Sequence, residues 1–388
     1  MKRVLAVLLL ILLTLQVTSC IQLKPEYRAE EPNDGTAHDG TETLAPADAL
    51  DAVFPSWSDV EKNAKLFLTA TENPIVDATD AAYSYTDMAT DLQILANAYP
   101  THLSYRSIGK SVAGREIYLA VLGNPDAPRQ IVVSAGIHAR EYMTPLLVMK
   151  QIAYILAYRN DGACNGFSYA SILEKYCFYI VPMSNPDGIM LSQEGLSSLS
   201  DTELCDKIFS IYYADFAAGI TNAGNVNEYL KYWKANAAGT DLNRNFDALW
   251  EEYDRIFRPS CQNYKGPSAA SEPETQALVT LTESLNNIQA VLCIHSQGEV
   301  LYWDCGQNAA LSEATRAFTA MIAARNGYYI VDEQNNDASY SDWCALEKGL
   351  IAVTVETGTG SCPLPIEQFE TIWSDNFDLL LLSAVYFE

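Results

Sequence analysis

Ile131-Val132-Val133-Ser134-Ala135-Gly136-Ile137-His138-Ala139-Arg140-Glu141 is an apolar run that breaks at a glycine, then presents a histidine and a carboxylate three residues apart. A short run rich in β-branched residues reads as a buried strand, and the glycine marks its end. His138 and Glu141 then fall just beyond the strand's carboxyl end, where ligands bind in open α/β sheets. Alone, this spacing is common. Two further stretches repeat the arrangement: Ala290-Val291-Leu292-Cys293-Ile294 runs directly into His295, and Val353-Thr354-Val355 into Glu356. The chain has only four histidines, His38, His102, His138 and His295, so half of them end a predicted strand.

These residue types point to one chemistry. Two imidazoles and a carboxylate hold Zn2+ while leaving a fourth position open for water, as catalytic rather than structural zinc sites do. The metal makes that water acidic and polarises a carbonyl. A further carboxylate is then needed to take the proton from water and hand it to a leaving amine. Glu356 is the available group; its plainer alternative is a capping or salt-bridging role.

Around these stretches the pattern is α/β. Cys177-Phe178-Tyr179-Ile180-Val181 and Leu350-Ile351-Ala352-Val353-Thr354-Val355 read as further buried strands. Thr86 to Tyr99 carries Met88, Leu92, Leu95 and Tyr99 at helical spacing, with Pro100 after it. Pro145 to Tyr158 and Glu313 to Asn326 read as helices between strands. Apolar strands alternating with helices imply a parallel or mixed sheet covered on both faces.

The amino-terminal residues carry a different signal. Lys2 and Arg3 precede the apolar run Val4 to Val17, whose fourteen residues fall short of the ~20 a membrane helix needs and suit a signal peptide. Val17-Thr18-Ser19-Cys20 resembles a bacterial lipobox, which predicts residues 1–20 as a lipoprotein-type signal and a lipid anchor on Cys20. The expected location is the bacterial cell surface, with simple secretion as the alternative. Residues 21–80 read as an acidic tether and a short amino-terminal element, and residues 81–388 as the catalytic domain.

Lys and Arg total 24 against 49 Asp and Glu, a formal charge of −25. Such a surface repels polyanions, which excludes nucleic acid as a partner in the absence of a local basic patch. Eight cysteines follow Cys20, an even number that permits disulfides in an exported chain without fixing their pairing. Cys293, inside an apolar run, reads as a buried thiol.

Taken in order, eight motifs make the chain resemble the zinc metallocarboxypeptidase family over about Tyr83 to Tyr386. They are Ile108-Gly109-Lys110-Ser111 with Gly114-Arg115-Glu116-Ile117, the His138/Glu141 pair, Pro182-Met183-Ser184-Asn185-Pro186-Asp187-Gly188, Trp233-Lys234-Ala235-Asn236, Gly239-Thr240-Asp241-Leu242-Asn243-Arg244-Asn245-Phe246, Ile294-His295-Ser296, Ser341-Asp342-Trp343 and Thr354-Val355-Glu356. The resemblance implies a three-layer α/β/α fold with a mixed sheet of about eight strands. It implies one zinc on His138, Glu141 and His295, with Glu356 as general base and acid. Asn243 and Arg244 would hold a substrate's free carboxylate, a role that a planar guanidinium suits independently of any relative.

Two positions depart from the digestive members. Those have an arginine after the tryptophan to stabilise the oxyanion, where Lys234 stands here. They also use a mobile tyrosine upstream of the Asp-Trp pair; an ungapped comparison leaves none, and Tyr340 is the displaced candidate. The run from Trp233 to Phe246 is more similar to the bacterial branch, which cuts γ-D-glutamyl–diamino acid bonds in cell-wall peptides. The expected partner is therefore a peptide or muropeptide with a free carboxylate, bound by a monomer. A zinc deacylase of N-acyl amino acids and a non-catalytic surface binding protein are the competing readings. The Ser341-Asp342-Trp343 motif speaks against the first and Glu356 against the second.

Overall fold

Each of the four apolar runs forms a strand in the computed structural model, which describes residues 57–69 and 74–388. The strands are β1 Leu103–Lys110, β2 Glu116–Gly123, β3 Arg129–Ala135, β4 Ala163–Cys164, β5 Phe167–Ser168, β6 Tyr176–Val181, β7 Ile288–His295, β8 Val300–Tyr302, β9 Tyr329–Val331 and β10 Ile351–Glu356. All but the small β4–β5 hairpin join one eight-stranded sheet, ordered β1-β2-β6-β3-β7-β10-β8-β9. The central ladders β6–β3, β3–β7 and β7–β10 are parallel, while β1–β2, β2–β6 and β10–β8 are antiparallel. The sheet is therefore mixed.

Side chains alternate across a strand, and this splits the core in two. Ile131, Val133 and Ala135 of β3, with Leu292 and Ile294 of β7, pack on one face against the helix Met143–Ala157. Val132, Val291 and Cys293 pack on the other, with the helices Pro273–Ser284 and Tyr340–Leu346. Both faces are covered, which is why these runs are apolar throughout rather than alternating. The predicted helix over 86–99 is Tyr85–Ala98, started by a capping box between Ser84 and Asp87.

The folded unit extends upstream of the expected boundary at residue 81. Helix Trp57–Thr69 docks on the main core: the Trp373 indole N–H donates to the Ala64 carbonyl at 3.1 Å, and the Phe67 and Tyr154 rings lie 5.3 Å apart. The buried contact runs partly through a single alanine, which hydrophobic patterning underweights. The signal, lipobox and tether readings lie outside the described residues. Among the described residues no helix is long and apolar enough to cross a membrane. The eight cysteines beyond Cys20 are free, and seven are buried, Cys293 among them. They serve as small apolar side chains.

Polar residues of two motifs bolt loops together. The Asn185 amide donates to the carbonyls of Ile137 (3.1 Å) and Ala235 (3.0 Å), and its carbonyl accepts from Gly188 N–H. It thereby ties the His138 turn to the Lys234 loop. Gly188 has to be glycine: a Cβ there would sit 2.5 Å from the Ala235 carbonyl. Behind that loop, fully buried Glu274 accepts from Val112 N–H and the Asn236 amide at 3.0 and 3.2 Å.

Burial pushes Glu274 up to about 7, with Asp187 adding to it and hydrogen bonds from Val112, its own backbone and Asn236 opposing. A raised carboxyl favours the fold while protonated, so its contribution is complete below about 4.5 and is lost as pH rises through about 7. The loss amounts to roughly 3 kcal/mol at most. Glu274→Gln should flatten urea-unfolding stability over this interval. An unchanged pH slope in the variant would refute this assignment.

Candidate active site

The parallel register places the chemistry. Glu356 pairs directly with His295 across β10 and β7, and Ala135 of β3 pairs with Ile294. Strand alternation turns His295 and Glu356 to the same face, the one carrying Cys293 and Ala352. The third contributor arrives by a tight turn. Gly136 has φ +61°, and a Cβ there would lie 2.8 Å from Pro145 and 2.9 Å from Ile189. The Gly136 N–H donates to Thr144 Oγ1 (3.0 Å), and helix Met143–Ala157 starts immediately after Glu141.

His138 Nδ1 lies 2.7 Å from Glu141 Oε1, and His295 Nδ1 lies 3.0 Å from Glu141 Oε2. The three residues are at most 4% exposed, and one ligand atom from each lies within 4.8 Å of the others. The set matches the donors that zinc takes. Burial opposes ionisation of Glu141, but His138 and His295 outweigh it and hold the carboxyl well below its ordinary range. A divalent cation acts in the same direction.

One buried atom pair strengthens the fit. His138 Nε2 and Asp241 Oδ1 lie 3.3 Å apart, and neither makes an aligned hydrogen bond to any described residue. If Nε2 carries the proton, Nδ1 is bare for a metal, and Asp241 is placed to hold that tautomer. The other Asp241 oxygen accepts from Asn263 N–H at 2.9 Å. Burial works against an ionised Asp241, yet His138, Arg244 and Lys234 keep its carboxyl far below the usual range.

A cleft opens beside this cluster, lined by His138, Lys234, Asn243, Arg244, Ser341 and Glu356 among others. Burial pushes Glu356 up to about 7, and Glu141 adds to this against the opposing charges of His295, Lys234 and Arg140. No hydrogen bond or ion pair engages the Lys234 ammonium among the described residues, so it faces the cleft uncommitted. Arg244 donates from Nε to the Tyr253 hydroxyl (3.0 Å) and from Nη1 to the Asn243 carbonyl (2.7 Å). Burial disfavours its charge, but Asp337, Asp241 and Tyr253 prevail and raise it above its ordinary value.

Seven of the eight expected site residues thus converge. Tyr340 does not. It is 1% exposed, its hydroxyl is 2.6 Å from Thr282 Oγ1, and its ring packs on Phe246 and Trp343. As the first residue of helix Tyr340–Leu346 it shares the buried face with Trp343 and Cys344, one turn on. It touches the site only through its backbone, whose N–H donates to Asn243 Oδ1 at 3.1 Å. The displaced-lid expectation is therefore corrected: Tyr340 anchors Asn243 from below. Sequence reasoning also passed over Asp241 as the partner of His138, although it opens the Asp241-Leu242-Asn243-Arg244 motif. It missed Asp337 beside Arg244, and Tyr302 and Trp303 in the cleft wall, for which no signal existed.

The chain is similar to known proteins. The zinc carboxypeptidase family profile matches residues 88–379. Gamma-D-glutamyl-L-diamino acid endopeptidase 1 of Lysinibacillus sphaericus is 32% identical over 302 residues, covering 77% of this chain and 71% of the relative. Carboxypeptidase B of Astacus astacus is 27% identical over 315 residues, 76% of this chain and 93% of the relative. The solved structure of thrombin activatable fibrinolysis inhibitor superposes with a TM-score of 0.63 at 18% identity, over 84% of this chain and 80% of the other, a likeness of fold. With the family profile spanning most of the folded unit and a His-Glu-His cluster fit for the metal, the chain belongs to the zinc carboxypeptidase family and is a zinc metallopeptidase.

Proposed function

We propose that the protein hydrolyses peptide bonds whose leaving residue bears a free carboxylate, its preferred target being the γ-D-glutamyl–diamino acid bond of cell-wall stem peptides. The observation that carries this reading is the cleft lined by Glu356, Asn243 and Arg244 together with His138, which belongs to the His138/Glu141/His295 cluster beside it. Zinc, when bound on His138, Glu141 and His295, supplies an acidified water and polarises the scissile carbonyl.

The remaining steps belong to the chain itself. Glu356 takes a proton from the attacking water and returns it to the leaving amine, a task suited to a carboxyl raised toward neutrality. Lys234 brings positive charge to the oxygen that becomes anionic, as a point charge rather than a fork. Asn243 and Arg244 fix the leaving residue by its carboxylate. The γ-D-glutamyl preference is supported by the Lysinibacillus relative, whose name states that bond type.

Mass spectrometry of products from the zinc-loaded protein tests the reading on ordinary peptides and on muropeptides. Release of a diamino acid-bearing fragment from muropeptides is the expected result. Arg244→Ala should cut kcat/KM by about 10- to 100-fold on substrates with a free carboxylate, and hardly at all when every carboxyl of the leaving residue is amidated. Equal losses on both would point to an endopeptidase that ignores the carboxylate.

A further inference from the structure

Helix Thr202–Ala217 is aromatic on two faces, and only one of them meets the core. Ile208, Ile211 and Tyr212 point inward and share a core with Trp233 and Ala235. Phe209, Tyr213 and Phe216 point outward and are 38%, 65% and 53% exposed. Residues three and four apart lie one above another on a helix, so these rings form a stripe with members about 5 Å apart along the axis. Asp206 and Ser210, each three residues before one of the rings, flank the stripe and line an open groove over the helix. Single exposed apolar side chains are ordinary, whereas a contiguous patch marks a binding surface. The stripe is also firmly mounted. Buried Asp215 accepts from the Tyr229 hydroxyl (2.5 Å), Ser260 Oγ (2.8 Å) and Cys261 N–H (3.0 Å), and pairs with Arg258 at 2.5 Å. The Cys261 carbonyl accepts from Lys234 N–H at 2.9 Å, so one bonded segment fixes both the helix and the Lys234 loop of the cleft.

Charge selects the occupant. The chain carries a formal −25, which repels an anionic membrane and a second copy of itself alike, and leaves an uncharged partner unopposed. The negative face of an aromatic ring attracts polarised C–H bonds, and the flat faces of a pyranose are made of such bonds, rimmed by hydroxyls. Asp206 can accept from those hydroxyls. Ser210 Oγ donates to the Asp206 carbonyl at 3.0 Å and keeps its lone pairs for the same use. We propose that Phe209, Tyr213 and Phe216, with Asp206 and Ser210 alongside, bind an uncharged β-1,4-linked N-acetylhexosamine chain. This rests on the cell-wall reading above and extends it, because stem peptides are carried on such a chain by an amide that consumes the sugar's carboxyl. The helix holds the strand while the cleft works on a peptide that the strand carries.

Calorimetric titration of the zinc-loaded full chain with the β-1,4-linked N-acetylglucosamine tetrasaccharide, which bears no peptide, tests it. Saturable binding is the expected result. Tyr213→Ala combined with Phe216→Ala should weaken it about tenfold, the scale of two lost ring contacts. Both positions are exposed, so the fold survives the change. The same variant should show a similar rise in KM on a glycan-borne stem peptide and an unchanged kcat/KM on the free stem peptide. Absence of tetrasaccharide binding, or binding that the variant keeps in full, overturns the proposal, while cleavage of the free peptide still upholds the γ-D-glutamyl reading. Conversely, tetrasaccharide binding that the variant loses sustains the glycan site even where no peptide is cleaved. A variant that turns a dimer into a monomer, or leaves phosphatidylcholine vesicles, with tetrasaccharide binding unaltered would assign the stripe to a second copy or a lipid surface, and the proposal falls.

Discussion

Glu356→Gln should lower kcat by about 10²- to 10⁴-fold, the contribution usual for a positioned proton carrier, while zinc content stays at one per chain. The two side chains have nearly the same shape, so the cleft and the neighbouring His295 strand end survive. What is lost is a group able to accept a proton from water and release it to the amine. Metal analysis alongside kinetics separates the two effects. Wild-type turnover in the variant would refute the assignment, and a fall in zinc content would move Glu356 into the ligand set. A pH signature accompanies it. The base form is the active one, so the rate falls as pH drops through the Glu356 pKa, about 7 before a cation is bound and lower with one beside it. Lys234→Met removes a charge that lowers this value, and should move the acid limb to higher pH.

The second large effect concerns the metal. His295→Ala removes one of three ligands, and its zinc affinity should drop by more than the about 10- to 100-fold typical of losing a supporting partner. Asp241→Asn, which touches the metal only through His138, should fall inside that range. Thermal unfolding reads both, because a ligand that binds only the native state raises stability with RT ln(1 + [L]/Kd). The unmodified protein should show a clear melting difference between zinc-loaded and chelated samples. His295→Ala should show almost none, and Asp241→Asn an intermediate one at limiting zinc. An undiminished difference in His295→Ala would sink the ligand set.

How far the sequence reached can be judged residue by residue. The central strands were legible because a strand buried on both faces has to be largely apolar, and the middles of β3, β6, β7 and β10 are. Their ends were legible for the same reason: a histidine or glutamate closing such a run has nowhere to go but the rim. Zinc ligation and the base candidate followed from that placement. The edge strands β8 and β9, three residues each, carry too little pattern to be read.

The failures share a cause. Tyr340 looked available because an exposed and a buried tyrosine have the same letter, and only the helix phase that sets it with Trp343 and Cys344 shows it to be core. Helix Trp57–Thr69 falls within the expected short amino-terminal element, but its docking was not legible, because its fit to Tyr154 and Trp373 exists only once residues far along the chain come together.

The sequence by itself determined a sheet covered on both faces and the candidate zinc donors, because both are imposed locally: apolar period, strand end, ligand type. The eight-stranded architecture was implied by the family resemblance. The sequence left open which groups work in pairs. Asp241 on His138 spans 103 positions and Asp337 on Arg244 spans 93, by subtraction of their numbers. Such pairs come from long-range packing, and no local propensity encodes a 3 Å distance between chain segments so far apart. The tertiary structure decided them, and with them the placement of Asp241 beside Nε2 of His138 and of Asp337 beside Arg244.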